Sequence, residues 1–418
     1  MSGGGKSGGA TVDAPSAITA ASYLIGINQL IVNLQPLVLG ALADTYRLGD
    51  RQLGYVSAVF IGFNTLAVVS APFWVRGVNW RILSAAAVGL AAAVLAAGAK
   101  LSTLTAILAL FAVLGVLKGT LGAPSFASLG DTANPDRRYA ASLISQSLPA
   151  AAAAVPVAQW IIPQYGVVGL FLSLAAVVAT GLLAARFLPD AGVVPASAGP
   201  EAPKAVLLSR GTLAPAVGLL ALGLFVCGIL AFWYFVERIG AARGVPHGLI
   251  GGAVSLCALA TVATAGIVAW LGGRVSTLWF VAAGNLIVIA GYACLVVDAD
   301  LAFVLTAILF AMGWGLAQPG YWTIIRKVDV SGRLFVAAPA AGGLAGVLTG
   351  ILAGPVIERS GYTGLILSSA GLLIASGVCL LIAAHLGKLA TGERTASPVN
   401  HISSEASEGL AEPHLPNL

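Results

Sequence analysis

Charge is what this sequence has least of. Only 9% of its 418 residues are Asp, Glu, Lys or Arg, against about 25% in soluble domains, so water cannot cover its surface. Cysteine is scarce too. Cys227, Cys257, Cys294 and Cys379 all fall inside apolar runs with no C-x-x-C among them, and they read as buried thiols rather than disulfide or metal ligands. His247, His385, His401 and His414 lie in loops, at the end of the last apolar run or in the tail. No helix carries H-E-x-x-H, paired acids or a Ser/Lys dyad, which leaves metal hydrolysis and intramembrane proteolysis without residues. The Gly-Gly-Gly-Lys-Ser at 3–7 fails the spacing of a phosphate loop and follows no strand, so direct ATP coupling is not expected either. The expectation is therefore no enzyme, no cofactor and no metal. The opening 19 residues have no apolar core, and no cleavable signal is expected there.

What the chain does have is grease. It is 58% hydrophobic with a mean hydropathy of +0.95, in runs of about 20 residues, each long enough as a helix to cross about 30 Å of hydrocarbon. The runs do not alternate strictly, which disfavours an outer-membrane barrel. The 52 glycines suit helices that approach closely in lipid. An all-α polytopic membrane protein is the class that fits. The pI of 9.1 has no basic stripe behind it, so the expected partner is the bilayer and not nucleic acid.

Apolar windows between polar breaks give twelve spans, near 20–43, 52–75, 82–99, 102–123, 139–161, 166–188, 211–236, 247–271, 276–297, 300–324, 334–356 and 363–386. The expected organisation is a disordered tail at 1–19, a six-helix bundle at 20–188, a Pro/Ala/Gly-rich linker at 189–210, a second bundle at 211–387 and a disordered tail at 388–418. An even span count puts both termini on one side. Of the 21 lysines and arginines, 14 then fall on the side of the termini and six on the other, with Lys118 left inside a span. That bias makes the termini cytoplasmic, and the short loops suggest a bacterial cytoplasmic (inner) membrane.

The two halves repeat. At an offset of 195 or 196, Trp74 matches Trp270, Gly77 matches Gly273, Gly119 matches Gly315, Pro124 matches Pro319 and Arg138 matches Arg333, while GVVGLFLS (166–173) matches GYTGLILS (361–368). Tryptophan is rare and the offset hardly drifts, so two pseudo-symmetric six-helix bundles are expected, related by an axis along the membrane normal.

This organisation resembles the major facilitator superfamily of secondary transporters over residues 20–386. That family carries a G-x-L-x-D-R-x-G-R-K-like signature in each loop between the second and third helix of a half. The corresponding stretches here, SAPFWVRG (70–77) and GIVAWLGG (266–273), keep glycine and nearby basic residues but place Trp at the acidic position. The resemblance implies that Arg76, Gly77, Arg81, Gly273 and Arg274 belong to cytoplasmic gating loops. LKGTLGAPS (117–125) looks like the family's R-x-x-x-G pattern, with Lys118 for Arg and Gly122 as the glycine. Helix five has Pro149 and Pro156, neither preceded by Gly, so the Gly-Pro signature of drug:proton antiporters is not evident. The implied mechanism is alternating access, by rocking two halves about a midplane site.

Selectivity must then come from side chains facing the cavity, because polar groups facing lipid are costly. Lys118 sits about 10 Å of helix before Ser125 and is a candidate cavity cation for an anionic solute; snorkelling to the interface is the competing reading. The first span holds Asn28, Gln29, Asn33 and Gln35, with Gln29 and Asn33 at i, i+4. Asn64, Gln146 and Asn285 are weaker candidates. Trp233, Tyr234 and Glu237 end helix seven, and Glu237 and Asp44 are candidates for proton coupling or, equally, boundary charges. Trp314, Gln318 and Tyr321 share one face of helix ten and suggest an aromatic wall with one amide. The first function reading is a secondary carrier of a small, amphipathic or aromatic organic anion, by proton-coupled uptake (symport), with the monomer as its unit. The second is efflux of drugs or metabolites by proton antiport. A non-transporting membrane protein is a third, and no loop carries the acid/base pair it would need.

Overall fold

The structure is a computed structural model that describes residues 12–133, 135–192, 210–271, 274–329 and 334–395. It is helical throughout, with no strand among the described residues. The elements are α1 (Pro15–Asn33), α2 (Gln35–Tyr46), α3 (Asp50–Trp74), α4 (Trp80–Gly98), α5 (Leu104–Gly130), α6 (Pro135–Pro156), α7 (Ile162–Ala179), α8 (Gly181–Ala185), α9 (Arg210–Ala242), α10 (His247–Leu271), α11 (Thr277–Cys294), α12 (Asp300–Val328) and α13 (Ala338–Thr395).

Among the described residues, ten helical runs are long and apolar enough to cross a membrane. Two of these, Ile144–Ala185 and Ala338–Gly387, hold 42 and 50 residues, or roughly 63 and 75 Å of helix. That is at least twice the thickness of a hydrocarbon core. Each reverses at one glycine with a left-handed φ, Gly166 (+59°) and Gly361 (+65°), a conformation costly to any residue with a Cβ. Divided there, the ten runs become twelve crossings. The two glycines are 195 residues apart, so the repeat read in the sequence is also a repeat of backbone geometry.

Local chemistry sets the other boundaries. Asn79 and Thr103 cap α4 and α5 by accepting the N–H of Ile82 and Ala106, the bonds that the first turn otherwise lacks. The first crossing breaks at Leu34 (φ −101°, ψ 5°) between α1 and α2. Pro36 causes the break, because it cannot donate to the carbonyl of Val32 four residues back. The first helix starts at Pro15, earlier than the expected 20, since proline is favoured in a first turn. The last continues to Thr395, through Lys388, Leu389 and Ala390, good helix formers, so the expected tail from 388 begins later. Residues 193–209 of the expected linker, with 1–11 and 396–418, lie outside the described residues.

The halves meet along three seams. In the first, α3 runs against α13 with Gly54 and Gly350 face to face. A Cβ on either would strike the other's carbonyl oxygen. In the second, α6 meets α10, where Gly251 sits on Ala154 and Ala158. In the third, α2 meets α9, where the Glu237 carboxylate occupies the space that a Cβ at Gly40 would need. Large apolar side chains such as Leu66, Phe73, Trp160 and Leu367 stay exposed on the outside, as a lipid-facing surface requires.

Candidate functional site

Three helices of the first half, α1, α3 and α6, carry amides that pack around α5 and on one another. Gln29 Nε2 donates to Gln146 Oε1 at 3.2 Å, and Asn33 Nδ2 donates to the Gln146 carbonyl at 2.7 Å, which fastens α1 to α6. Gln146 Nε2 reaches Ser142 at 3.4 Å. Gly122 on α5 leaves room for Asn28, whose Nδ2 would stand 3.1 Å from a Cβ there. Gly115 and Gly119, on an adjacent strip of α5, press on the backbone of Asn64 in α3. Lys118 lies one turn from Gly122 on the Asn28 side of α5 and level with Asn64. It is half-buried and makes no ion pair among the described residues. Oε1 of Gln29 and Oδ1 of Asn64 are buried without a hydrogen-bond partner. Gln35 is not part of this group: its amide donates to Ser57 at 3.0 Å and braces α2 on α3.

The second half contributes rings. Trp233 stacks on Phe310 at 5.8 Å between centroids and 5° between planes, and Phe310 meets Trp314 at 5.9 Å. Trp233 Nε1 donates to the Val32 carbonyl at 3.2 Å. That carbonyl, which also accepts a backbone N–H at the end of α1, lies beside the kink at Pro36, so the first crossing makes a bond between halves there. Trp314 Nε1 donates to Gln318 Oε1 at 2.7 Å. Two expectations change here. Tyr321 is fully buried, stacked on Phe225 at 4.5 Å. Its hydroxyl bonds to Ser376 at 2.6 Å and accepts from Asn285 at 2.9 Å, so it knits the bundle together instead of extending the wall. Tyr234 is likewise buried, with its hydroxyl 3.4 Å from the Gly346 carbonyl.

At the end of the bundle away from the termini, polar pairs cross between halves. Arg51 pairs with Glu358, Arg238 with Asp44 at 3.1 Å, and Tyr362 donates to the Asp50 carboxylate at 3.1 Å. Glu237 is 4% exposed, outside any ion pair, with Oε2 unpartnered. It borders a cavity of about 20 Å³ that Asp44 and His247 also line, room for one water. At the other end the ion pairs among the described residues lie inside one half. Arg76 grips Asp131 with both terminal nitrogens, Nη2 to Oδ1 at 2.8 Å, and lies over Trp80 at 5.6 Å. Arg81 donates twice to the Leu188 carbonyl at 3.1 Å and pairs with Asp190 at 3.5 Å. Gly77 closes a single 3-10 turn, Val75–Gly77, in open space, and Arg274 lies over Trp270 at 5.7 Å. Gly273 lies outside the described residues.

A comparison with known families matches residues 22–329 to the Major Facilitator Superfamily. The chain belongs to that superfamily. Solved structures similar to this member include a bacterial homolog of the human lysosomal transporter Spinster, in an inward-facing and unoccupied conformation. It is 15% identical over 91% of this chain and 98% of its own, with a TM-score of 0.60. The nucleoside transporter NupG is 15% identical over 89% and 99%, with a TM-score of 0.64. The human organic anion transporter MFSD10 is 16% identical over 87% and 99%, also at 0.64. No curated protein matches in sequence. As a superfamily member this chain is a multi-pass membrane transporter of small solutes and not an enzyme.

The residues missed in the sequence are the cross-half partners Asp50, Arg51, Glu358 and Tyr362, with Phe310 and Asp131. Position 131 had a signal, because an acid ending a span next to a basic turn is a natural partner for an arginine. Asp50, Arg51, Glu358 and Tyr362 gave none, since their pairing depends on contacts about 300 residues apart, and Phe310 read as one more apolar residue of its span.

Proposed function

We propose that this transporter moves an amphipathic or aromatic organic anion by alternating access, as a monomer with cytoplasmic termini in a bacterial inner membrane, driven by protons in the uptake direction. One observation carries the reading: Lys118 makes no ion pair among the described residues and lies one turn from the glycine that packs on Asn28, and the second half holds a ladder of Trp233, Phe310 and Trp314. A cation with no carboxylate partner in a span is costly unless a ligand or water neutralises it, and an anion supplies that charge. Trp314, the half-buried ring of the ladder, would take the apolar body of the same solute by stacking, with Trp233 and Phe310 packed behind it. Asn28, Gln29, Asn33, Asn64, Gln146 and Gln318 fix its polar edges.

Glu237 is the proton site in this reading. Its carboxylate sits in the α2–α9 seam with one oxygen unpartnered, and Asp44, Arg238 and His247 face it, with Asp50 and Tyr362 beyond Arg238. Neutralising such a buried charge favours the packed seam, so protonation would close the far end and deprotonation would loosen it.

The test is uptake into proteoliposomes with a panel of aromatic carboxylates and imposed proton gradients. Lys118→Ala should lower uptake at least tenfold, with Lys118→Arg retaining part of it; unchanged uptake removes the anion assignment. Glu237→Gln should abolish accumulation driven by a pH gradient while counterflow of solute persists. Accumulation that follows a gradient of the opposite sense would instead establish proton-antiport efflux by the same site.

A further inference from the structure

The pseudo-two-fold relation breaks at one place that solute transport does not use. Between α10, α11, α12 and α13, at the end of the bundle that carries the termini, lies a cleft of about 720 Å³, within the roughly 300–1,000 Å³ of small-molecule sites. Its mouth carries Lys327, Ser276 and Thr277, and its floor Val268, Phe280 and Leu316. Ser276 precedes α11 without a side-chain cap, and the first turn of α11 contains no acidic residue; the N–H groups of Trp279 and Phe280 donate to the Ser276 carbonyl, which leaves those of Thr277 and Leu278 to face an anion. Arg274, Arg326 and Lys327 are exposed and make no ion pair among the described residues.

The first half provides the comparison. A groove of about 580 Å³ that overlaps the cleft's repeat position only in part is lined by Leu66, Ser70, Trp74, Val116 and Thr120 among others, with no cation. At the repeat offset Thr120 stands where the cleft has Leu316, and Thr132 where it has Lys327. The neighbouring bases of the first half, Arg76 and Arg81, are neutralised by Asp131 and Asp190. The second half alone combines an unneutralised cation and free hydroxyls at a polar rim with a hydrocarbon floor one to three turns deeper.

We propose that this cleft binds an anionic phospholipid from the leaflet on the side of the termini. Its phosphate sits at Lys327, Ser276 and Thr277, and one acyl chain lies along Val268, Phe280 and Leu316. A soluble anion would satisfy the rim and leave the floor empty; a neutral lipid would fill the floor and leave the rim unpaired. Leu316 and Pro319 also border the cleft, on the helix that presents Trp314 and Gln318. The bound lipid therefore buttresses the aromatic wall from behind and is set to tune transport by membrane composition.

The test uses the full-length purified protein. Native mass spectrometry and thermal unfolding are measured with phosphatidylglycerol, with phosphatidylcholine of identical chains, and with inorganic phosphate alone. Phosphatidylglycerol should be retained at least five-fold better than phosphatidylcholine and should raise the Tm further. Lys327→Ala should remove about a five-fold factor from that preference, the contribution of one lysine near an anionic surface. Leu316→Trp, which fills the floor and leaves every charge in place, should lower retention of both lipids. Equal retention of the two lipids by the unmodified protein overturns the proposal without reference to any variant. So does a phosphatidylglycerol preference that Lys327→Ala leaves undiminished, or a Tm shift that inorganic phosphate alone reproduces.

Discussion

The two ends of the bundle are held by different bonds. At the end away from the termini, Arg51–Glu358, Arg238–Asp44 and Tyr362–Asp50 join one half to the other. At the end with the termini, Arg76–Asp131 and Arg81–Asp190 join helices of the same half, and no described hydrogen bond spans the halves. Among the described residues, the ion pairs at the first end join the halves and those at the second join parts of one half; in the proposed alternating-access cycle the second is the end that parts. The magnitudes agree with a switch. The Arg51 and Glu358 side chains are 49% and 47% exposed, and exposed pairs are worth roughly 0.2–1 kcal/mol each. Three such ties supply about 1–3 kcal/mol, a bias that a bound solute or proton can reverse. Asp131, by contrast, is 4% exposed, and breaking a buried pair costs roughly 3–5 kcal/mol. The rigid parts and the moving joint are distinguished by burial.

The largest effect should come from the seam itself. Gly350→Leu places a side chain against the Gly54 carbonyl and the Ala58 N–H, 2.5 and 2.8 Å from a Cβ, where backbone cannot yield. Overpacking of about 1–3 kcal/mol would match the whole closing bias. Transport should be lost, and cysteines introduced at the far end should become reactive to a membrane-impermeant thiol reagent; continued protection there would show that the seam is not the closure.

Next in size, Asp131→Ala should lower the Tm by several degrees through loss of the buried pair with Arg76 while leaving far-end cysteine reactivity as it was. A change in that reactivity would mean that the within-half staple also sets access. The smallest effect is Glu358→Gln, which should shift the population toward a far-open state by about two- to five-fold, a shift that high salt should reproduce in the unmodified protein because the pair is exposed. No response to either would assign the closure to the glycine seam alone.

The crossings were legible because hydrophobic length and loop charge act residue by residue. The repeat was legible through rare residues such as Trp74 and Trp270. Gln29, Asn33 and Gln146 could be nominated from the cost of amides in lipid, although their bonding to one another needed the packing of α1 on α6. Tyr321 went wrong because helical spacing gives a face without saying what that face meets; Phe225, Asn285 and Ser376 claimed it. Pairs such as Asp50 with Tyr362 stayed hidden, since a boundary charge reads alike whether its partner is water or the opposite half.

Gly166 and Gly361 each reverse the chain within a single residue. The helices they link therefore have no slack: neither can slide or tilt without carrying its neighbour, and each hairpin behaves as one lever. An inserted peptide at either glycine should cripple the protein, whereas the turn at 47–49, which joins α2 to α3, should accept one.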